Sequence, residues 1–164
     1  MNISVALATY NGARHLREQL DSLARQTLRP GELVVRDDGS TDDTLAIVED
    51  FARTAPFPVR AQRNAVNLGW GPNFLSAALA CRGEVVAFCD QDDLWQPAKL
   101  ARYAEAIAGR QAGKQRPHEA VRQDDGPVGQ VVRHAVPGDR LGSGQRADKE
   151  TVRCIEQRIG QRGD

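Results

Sequence analysis

Three features are scarce or missing in this chain of 164 residues, and each excludes a class of protein. Cysteine is scarce: Cys81, Cys89 and Cys154 are an odd, scattered set with no Cys-x-x-Cys pair and no zinc-type histidine spacing. That excludes a disulfide scaffold or zinc module and points to a reducing compartment. Net charge is missing, because 22 Lys and Arg balance 22 Asp and Glu. A nucleic acid or an anionic membrane surface is therefore not the expected main partner. Long apolar runs are missing too, so no transmembrane segment is expected. The opening Met1-Asn2-Ile3-Ser4-Val5-Ala6-Leu7 is too short for a signal peptide and lacks its positive flank. The expected location is cytoplasmic, with a peripheral membrane association left open.

Two well-known phosphate motifs are also lacking. No Gly-x-x-x-x-Gly-Lys-Ser/Thr loop occurs, which argues against a P-loop. Gly142-Ser143-Gly144-Gln145-Arg146-Ala147 fits a relaxed dinucleotide fingerprint, but no strand signal precedes it. A phosphatase of the Asp-x-Asp type would need a small hydroxylated residue after its second Asp, where Asp93 and Leu94 stand here. His15, His118 and His134 are read as solvated and carry no assigned role.

What is present alternates. Ile3 to Ala8 is a short apolar run, and Leu16, Leu20 and Leu23 recur at helical spacing, which predicts a helix over about 13–27. Arg29-Pro30-Gly31 breaks the chain, and Leu33-Val34-Val35 forms the second strand. Ser40 or Thr41 caps a second helix, with Asp42 and Asp43 in its first turn and Leu45, Ile47, Val48 and Phe51 on its apolar face. A third strand is expected near 59–62, a helix over 73–81, a fourth strand over 84–89, and a helix from Pro97 to about Ala108. This order predicts an α/β fold, a mostly parallel open sheet with helices on both faces.

Past about Gly109 the pattern stops. No Phe, Trp or Tyr follows Tyr103, and Leu141, Ile155 and Ile159 are the only Leu or Ile there. Residues 109–164 are therefore expected to form a low-complexity tail, poorly ordered or disordered. A regulatory tail is one reading. The favoured hypothesis is a shifted reading frame in a GC-rich gene, which yields Arg, Gly, Pro and Ala without periodicity. Translating all three frames of the DNA past codon 108 tests it, and it fails if no frame restores strand and helix patterns.

Ligands of open parallel sheets bind beyond the carboxyl ends of the strands. The polar clusters fall there: Thr9-Tyr10-Asn11-Gly12, Asp37-Asp38-Gly39-Ser40, Asn64 with Asn67-Leu68-Gly69, and Asp90-Gln91-Asp92-Asp93. Each alone is ordinary turn chemistry. The breaks at the opposite edge, Arg29-Pro30-Gly31 and Pro56-Phe57-Pro58, carry no acid. Three carboxylates at one strand end suit a hard divalent cation bridged to phosphate. A solvated acidic loop is the plain alternative.

At these residues a resemblance becomes specific. Ala8-Thr9-Tyr10-Asn11-Gly12, Val34 to Asp42, Asn67-Leu68-Gly69 and Phe88 to Trp95 stand in the order and spacing of a known family. Residues 1–108 resemble the nucleotide-sugar-binding half of family 2 inverting glycosyltransferases, which have the GT-A fold, with the acceptor half truncated. The Asp-Gln-Asp-Asp-x-Trp form resembles the rhamnosyltransferase-like branch, which builds cell-surface polysaccharide, often from dTDP-rhamnose.

The resemblance implies roles. Thr9, Asn11 and Asn67 would line the nucleotide pocket, and Tyr10 would lie beside the base. One of Asp37 and Asp38, with Asp38 favoured, would bond the uracil or thymine edge. Asp90 would sit near the ribose and the metal, and Asp92 would ligate Mg²⁺ or Mn²⁺ directly. A Tyr10 that only packs and an Asp37 that only caps its turn are the alternatives. The implied partners are a nucleotide-diphosphate sugar and a saccharide or lipid-linked saccharide acceptor. The family's carboxylate base belongs to the acceptor half. Glu49-Asp50 lies on the second helix and Asp124-Asp125 in the tail, so no base is assigned. A fragment that binds nucleotide and metal without transferring sugar is the second reading.

Overall fold

The computed structural model describes residues 1–111 and 131–133. Four strands alternate with four helices: β1 Ile3–Thr9, α1 Ala13–Ala24, β2 Glu32–Asp37, α2 Thr44–Thr54, β3 Val59–Arg63, α3 Trp70–Leu79, β4 Val85–Asp90 and α4 Lys99–Gln111. A short β5, Val131–Arg133, follows. The sheet order is β3-β2-β1-β4-β5. The first four strands run parallel, and β5 pairs antiparallel with β4 through Val85↔Arg133 and Ala87↔Val131.

Strand position decides which helix a residue meets, because side chains alternate across a sheet. Val5, Leu7, Leu33, Val35, Val85, Ala87 and Cys89 face one layer, where they meet Leu16, Leu20 and Leu23 of α1, Val48 and Phe51 of α2, and Leu100 of α4. Ala6, Val34 and Val86 face the other layer, where Ala77, Ala78 and Cys81 pack on them. Small residues on both sides of that second contact bring α3 close to β1 and β2. β1 is buried along its whole length, as a strand covered on both faces must be. β3 is the open edge, and Arg60, Gln62 and Arg63 guard it with polar side chains.

Four expectations move. α2 begins at Thr44 with no acid in its first turn, because Ser40 and Asp42 are drawn into contacts with other strand tips. α3 begins at Trp70, three residues before the expected start. Pro72 lies in its first turn, where a missing N–H leaves no bond unmade. α4 begins at Lys99, because the Pro97 carbonyl accepts the Thr27 N–H at 2.8 Å instead of opening the helix. β5 stands in the segment read as tail. The rest of that segment, with its expected disorder, lies outside the described residues.

The topology places the site. β1 is central, and the chain leaves it toward β2 on one side and returns to β4 on the other. Such a reversal opens a crevice at the carboxyl ends of the two neighbours. The register Thr9↔Asp37, Asp37↔Arg63 and Ala8↔Asp90 brings all four tips to one level.

Candidate nucleotide and metal site

The tip of β2 carries two carboxylates that point in opposite directions. Asp37 is fully buried. Its Oδ1 accepts the N–H groups of Gly39 and Ser40 at 3.2 and 2.9 Å. Its Oδ2 accepts the Thr9 hydroxyl at 3.0 Å and the Ser40 hydroxyl. Four donors saturate a carboxylate. Asp37 therefore holds the loop in shape, and Thr9, itself buried, holds Asp37. Both side chains are occupied by these bonds within the strand tips.

Asp38 turns the other way, toward the start of α3. Its Oδ1 accepts Asn64 Nδ2 and the Leu68 N–H, each at 2.8 Å, and its Oδ2 accepts the Gly69 N–H at 2.8 Å. Burial, with only 3% of the residue exposed, pushes its pKa up. The bonds from Leu68, Asn64 and Gly69 outweigh that and hold it below the ordinary carboxylate value. Asn67 Nδ2 donates to the Asp38 carbonyl at 2.9 Å. Asn73, buried on α3, donates to the Arg36 carbonyl at 3.0 Å and accepts Asn64 Nδ2 at 2.9 Å. A ring of amides thus fastens the entry of α3 to the tip of β2. Gly69 makes the turn possible, because its φ of +85° with ψ of 164° suits glycine alone.

The tip of β1 is stitched to β2 as well. Asn11 adopts φ +48°, a left-handed conformation that asparagine tolerates better than most residues. Its N–H donates to Ser40 Oγ at 2.9 Å, and its Oδ1 accepts the Thr41 N–H at 2.8 Å. The Gly12 and Ala13 N–H groups, orphans at the start of α1, go to Thr44 Oγ1 at 2.8 Å and Asp42 Oδ2 at 3.0 Å. Tyr10, between these anchors, is 51% exposed, so its ring is not packed in the core.

The tip of β4 carries the acids. Burial raises the pKa of Asp90, and the neighbouring charges of Asp92 and Asp93 raise it further. The bond from the Gln91 N–H, at 2.9 Å, pulls it back only partly. The loop behind it is braced by the end of α1. Ser22 Oγ accepts the Trp95 N–H at 3.1 Å, Gln26 Nε2 donates to the Gln96 carbonyl at 2.8 Å, and Gln26 Oε1 accepts the Leu100 N–H at 3.1 Å. Trp95 fills the core beneath the acids, and Asp92 is exposed above it.

The start of α3 is fastened to the tip of β2, where the Gly69 N–H donates to Asp38 Oδ2. Asp38, Asp90 and Tyr10 stand at or just past the carboxyl ends of β2, β4 and β1, on one edge of the sheet. Among the described residues no group of three His, Cys, Asp or Glu side chains could hold a metal ion by itself. Asp90, half-buried, and Asp92, exposed, offer hard oxygen donors at one strand tip. That donor set fits a cation that completes its shell with substrate phosphates, the usual habit of Mg²⁺.

Sequence reasoning missed Asn73, Trp70 and Gln91. Asn73 looked like an ordinary helical residue, and Trp70 followed a turn signal. Gln91 stands inside the acidic motif, where the flanking carboxylates draw attention from its amide. A buried Asn in an apolar helix was the available signal for the first, since such a side chain needs partners.

Comparison with known proteins agrees with this geometry. Residues 4–158 match Glycosyl transferase family 2, and the chain belongs to that family. An uncharacterized glycosyltransferase of Nostoc sp. is 41% identical over 107 residues, which is 65% of this chain and 33% of that protein. Staphylococcus aureus TarS 1–349 in complex with UDP-GlcNAc superposes with a TM-score of 0.63 at 31% identity, covering 75% of this chain and 39% of that one. Mannosyltransferase PcManGT of Pyrobaculum calidifontis, in complex with GDP-Man and Mn²⁺, gives a TM-score of 0.61 at 30% identity, covering 65% and 32%. The fold is thus GT-A-like. The chain spans about a third of the length of the curated relatives it matches. No helix among the described residues is long and apolar enough to cross a membrane.

Proposed function

We propose that this protein supplies the donor side of an inverting glycosyltransferase that uses a nucleotide-diphosphate sugar and a divalent cation. The observation that supports the reading is the convergence of the tips of β1, β2 and β4 on one sheet edge, with Thr9↔Asp37 and Ala8↔Asp90 in register and the Gly69 N–H on Asp38. Asp38 keeps acceptor capacity on Oδ2 for one donor, the role an imide N–H of uracil or thymine would fill. Tyr10 offers an exposed ring beside it. Asn11 and Asn67 frame the pocket wall, and Asp37 with Thr9 keeps that wall in place. Asp92, with Asp90 beside it, would hold Mg²⁺ or Mn²⁺. A bound ion there supplies charge neutralisation on the departing diphosphate. The solved relatives support this by what they hold: UDP-GlcNAc in TarS, and GDP-Man with Mn²⁺ in the mannosyltransferase.

The finer assignment rests on the Asp-Gln-Asp-Asp-x-Trp form: a rhamnosyltransferase-like enzyme with dTDP-rhamnose as a candidate donor. Its acceptor would be a saccharide or lipid-linked saccharide in cell-surface polysaccharide synthesis, on the cytoplasmic side of the membrane. No residue is assigned as base, because Glu49 and Asp50 sit on α2 away from the crevice and Asp124 and Asp125 lie outside the described residues. A second reading follows from the span of a third of the relatives' length: this chain alone binds nucleotide and metal without transferring sugar.

Calorimetry with UDP and dTDP, with and without Mn²⁺, tests the shared part. Asp92→Ala is expected to abolish the metal-dependent gain in affinity, and an unchanged gain would reject the assignment. A donor-hydrolysis assay then separates the enzyme from the binding fragment.

A further inference from the structure

The middle residue of the acidic motif does something its neighbours cannot. Gln91 turns its amide onto the backbone of Tyr10: the Tyr10 N–H donates to Gln91 Oε1 at 2.9 Å, and Gln91 Nε2 donates to the Tyr10 carbonyl at 3.2 Å. The register of β1 and β4 runs as far as Ala8↔Asp90. The side chain of Gln91 therefore extends the pairing past the end of the ladder, imitating a peptide group. Only an amide offers one acceptor and one donor in that geometry, whereas a carboxylate offers acceptors alone.

The amide lies against Gly12. A Cβ there would stand 2.2 Å from Gln91 Oε1, so the amide would have to move aside for it. The backbone of Gly12, at φ −100° and ψ 7°, is open to any residue. Glycine at this position therefore leaves room for the Gln91 amide in its observed place, and its own dihedral angles do not demand it. Beyond the strand pairing, this side chain joins two loops, one carrying the exposed Tyr10 and the other carrying Asp92 just after Asp90.

We propose that Gln91 is a positioning residue that couples the nucleoside end of the site to the cation end. This rests on the donor-site reading above. With the clamp closed, a base that settles against Tyr10 also fixes the acidic loop, so nucleoside and divalent cation assist each other beyond their direct meeting at the phosphates. With the clamp open, the two loops order separately, and only the phosphate contact links them.

Pyrophosphate isolates the effect, because it meets the cation but has no base to place on Tyr10. Calorimetry measures how much Mn²⁺ tightens UDP and how much it tightens pyrophosphate, in the full chain and in Gln91→Ala, Gln91→Glu and Gly12→Ala. In the unaltered protein the gain for UDP should exceed the gain for pyrophosphate by about fivefold. All three variants should make the two gains equal, since Glu keeps the size but loses the donor and Ala at position 12 evicts the amide. Melting curves confirm that each variant is folded. A purely structural role would lower stability and leave the excess intact. An excess that survives in folded Gln91→Glu or Gly12→Ala, or no excess in the unaltered protein, overturns the inference and leaves the donor site standing. Failure of the unaltered protein to bind UDP or pyrophosphate with Mn²⁺ overturns the donor site itself.

Discussion

Replacing Asp38 by Asn changes one oxygen to an amide nitrogen and should cost the fold a large part of its stability. Asp38 accepts three bonds: two at Oδ1, from Asn64 and Leu68, and one at Oδ2, from Gly69. In one orientation Asn keeps the Oδ1 pair but sets its amide donor against the Gly69 N–H. In the flipped orientation it loses two bonds to save one. The better choice still leaves a buried N–H unmade and removes the charge from two others. Bonds to charged groups contribute about 1.5–3 kcal/mol each, so the net cost should be about 2–3 kcal/mol. That corresponds to a melting temperature lower by roughly 8 °C. Denaturant unfolding at pH 7 reads the difference. The pH dependence adds a check. The folded pKa of Asp38 is depressed, so its contribution is complete above the unfolded value near ~4 and is lost as pH falls through the folded value. The gap between wild type and Asp38→Asn should therefore narrow in acid. A cost below about 0.5 kcal/mol, or a gap that widens as pH falls, would refute the account of the α3 entry.

Two other perturbations address the fold around the site. Gly69→Ala forces a side chain onto φ +85° and should cost about 2 kcal/mol in urea unfolding; a neutral result would contradict the glycine turn. Cys81 is buried with its thiol pushed up to about 12, and Cys89 is raised further, both first by desolvation. Neither should react with a thiol reagent at pH 8 until the protein unfolds, as peptide mass spectrometry would show. Rapid native labelling of Cys89 would contradict its place in the core.

Much of this was legible in residue order. The apolar runs at 3–8, 33–35 and 85–89 mark buried parallel strands, because a strand covered on both faces needs no polar alternation. Leu16, Leu20 and Leu23 mark α1 by the same logic of burial. The level of the four polar tips followed from strand order. Other features did not show, and the reasons are physical. Asp37 and Asp38 are neighbours with identical chemistry, and only the pleat decides that one faces inward to Thr9 and the other toward α3. The start of α3 was hidden because Gly69, Gly71 and Pro72 resemble a break, yet Pro72 falls in the first turn where proline is accommodated. β5 is three residues long and depends on the edge of β4, a distant partner that no local pattern announces. Gln91 acts through a backbone 81 positions away, so its role needs the pairing of β1 with β4.

The central claim is that one cation and one nucleotide share the crevice between the tips of β2 and β4. Backbone amide spectra recorded with UDP and substoichiometric Mn²⁺ test it, since the paramagnetic ion broadens nearby resonances. The account predicts strongest loss at Gln91, Asp92 and Asp93, with Tyr10 and residues 68–70 next, and little loss when UDP is omitted. Broadening centred on Asp42 and Asp43, or equal broadening without nucleotide, would contradict it.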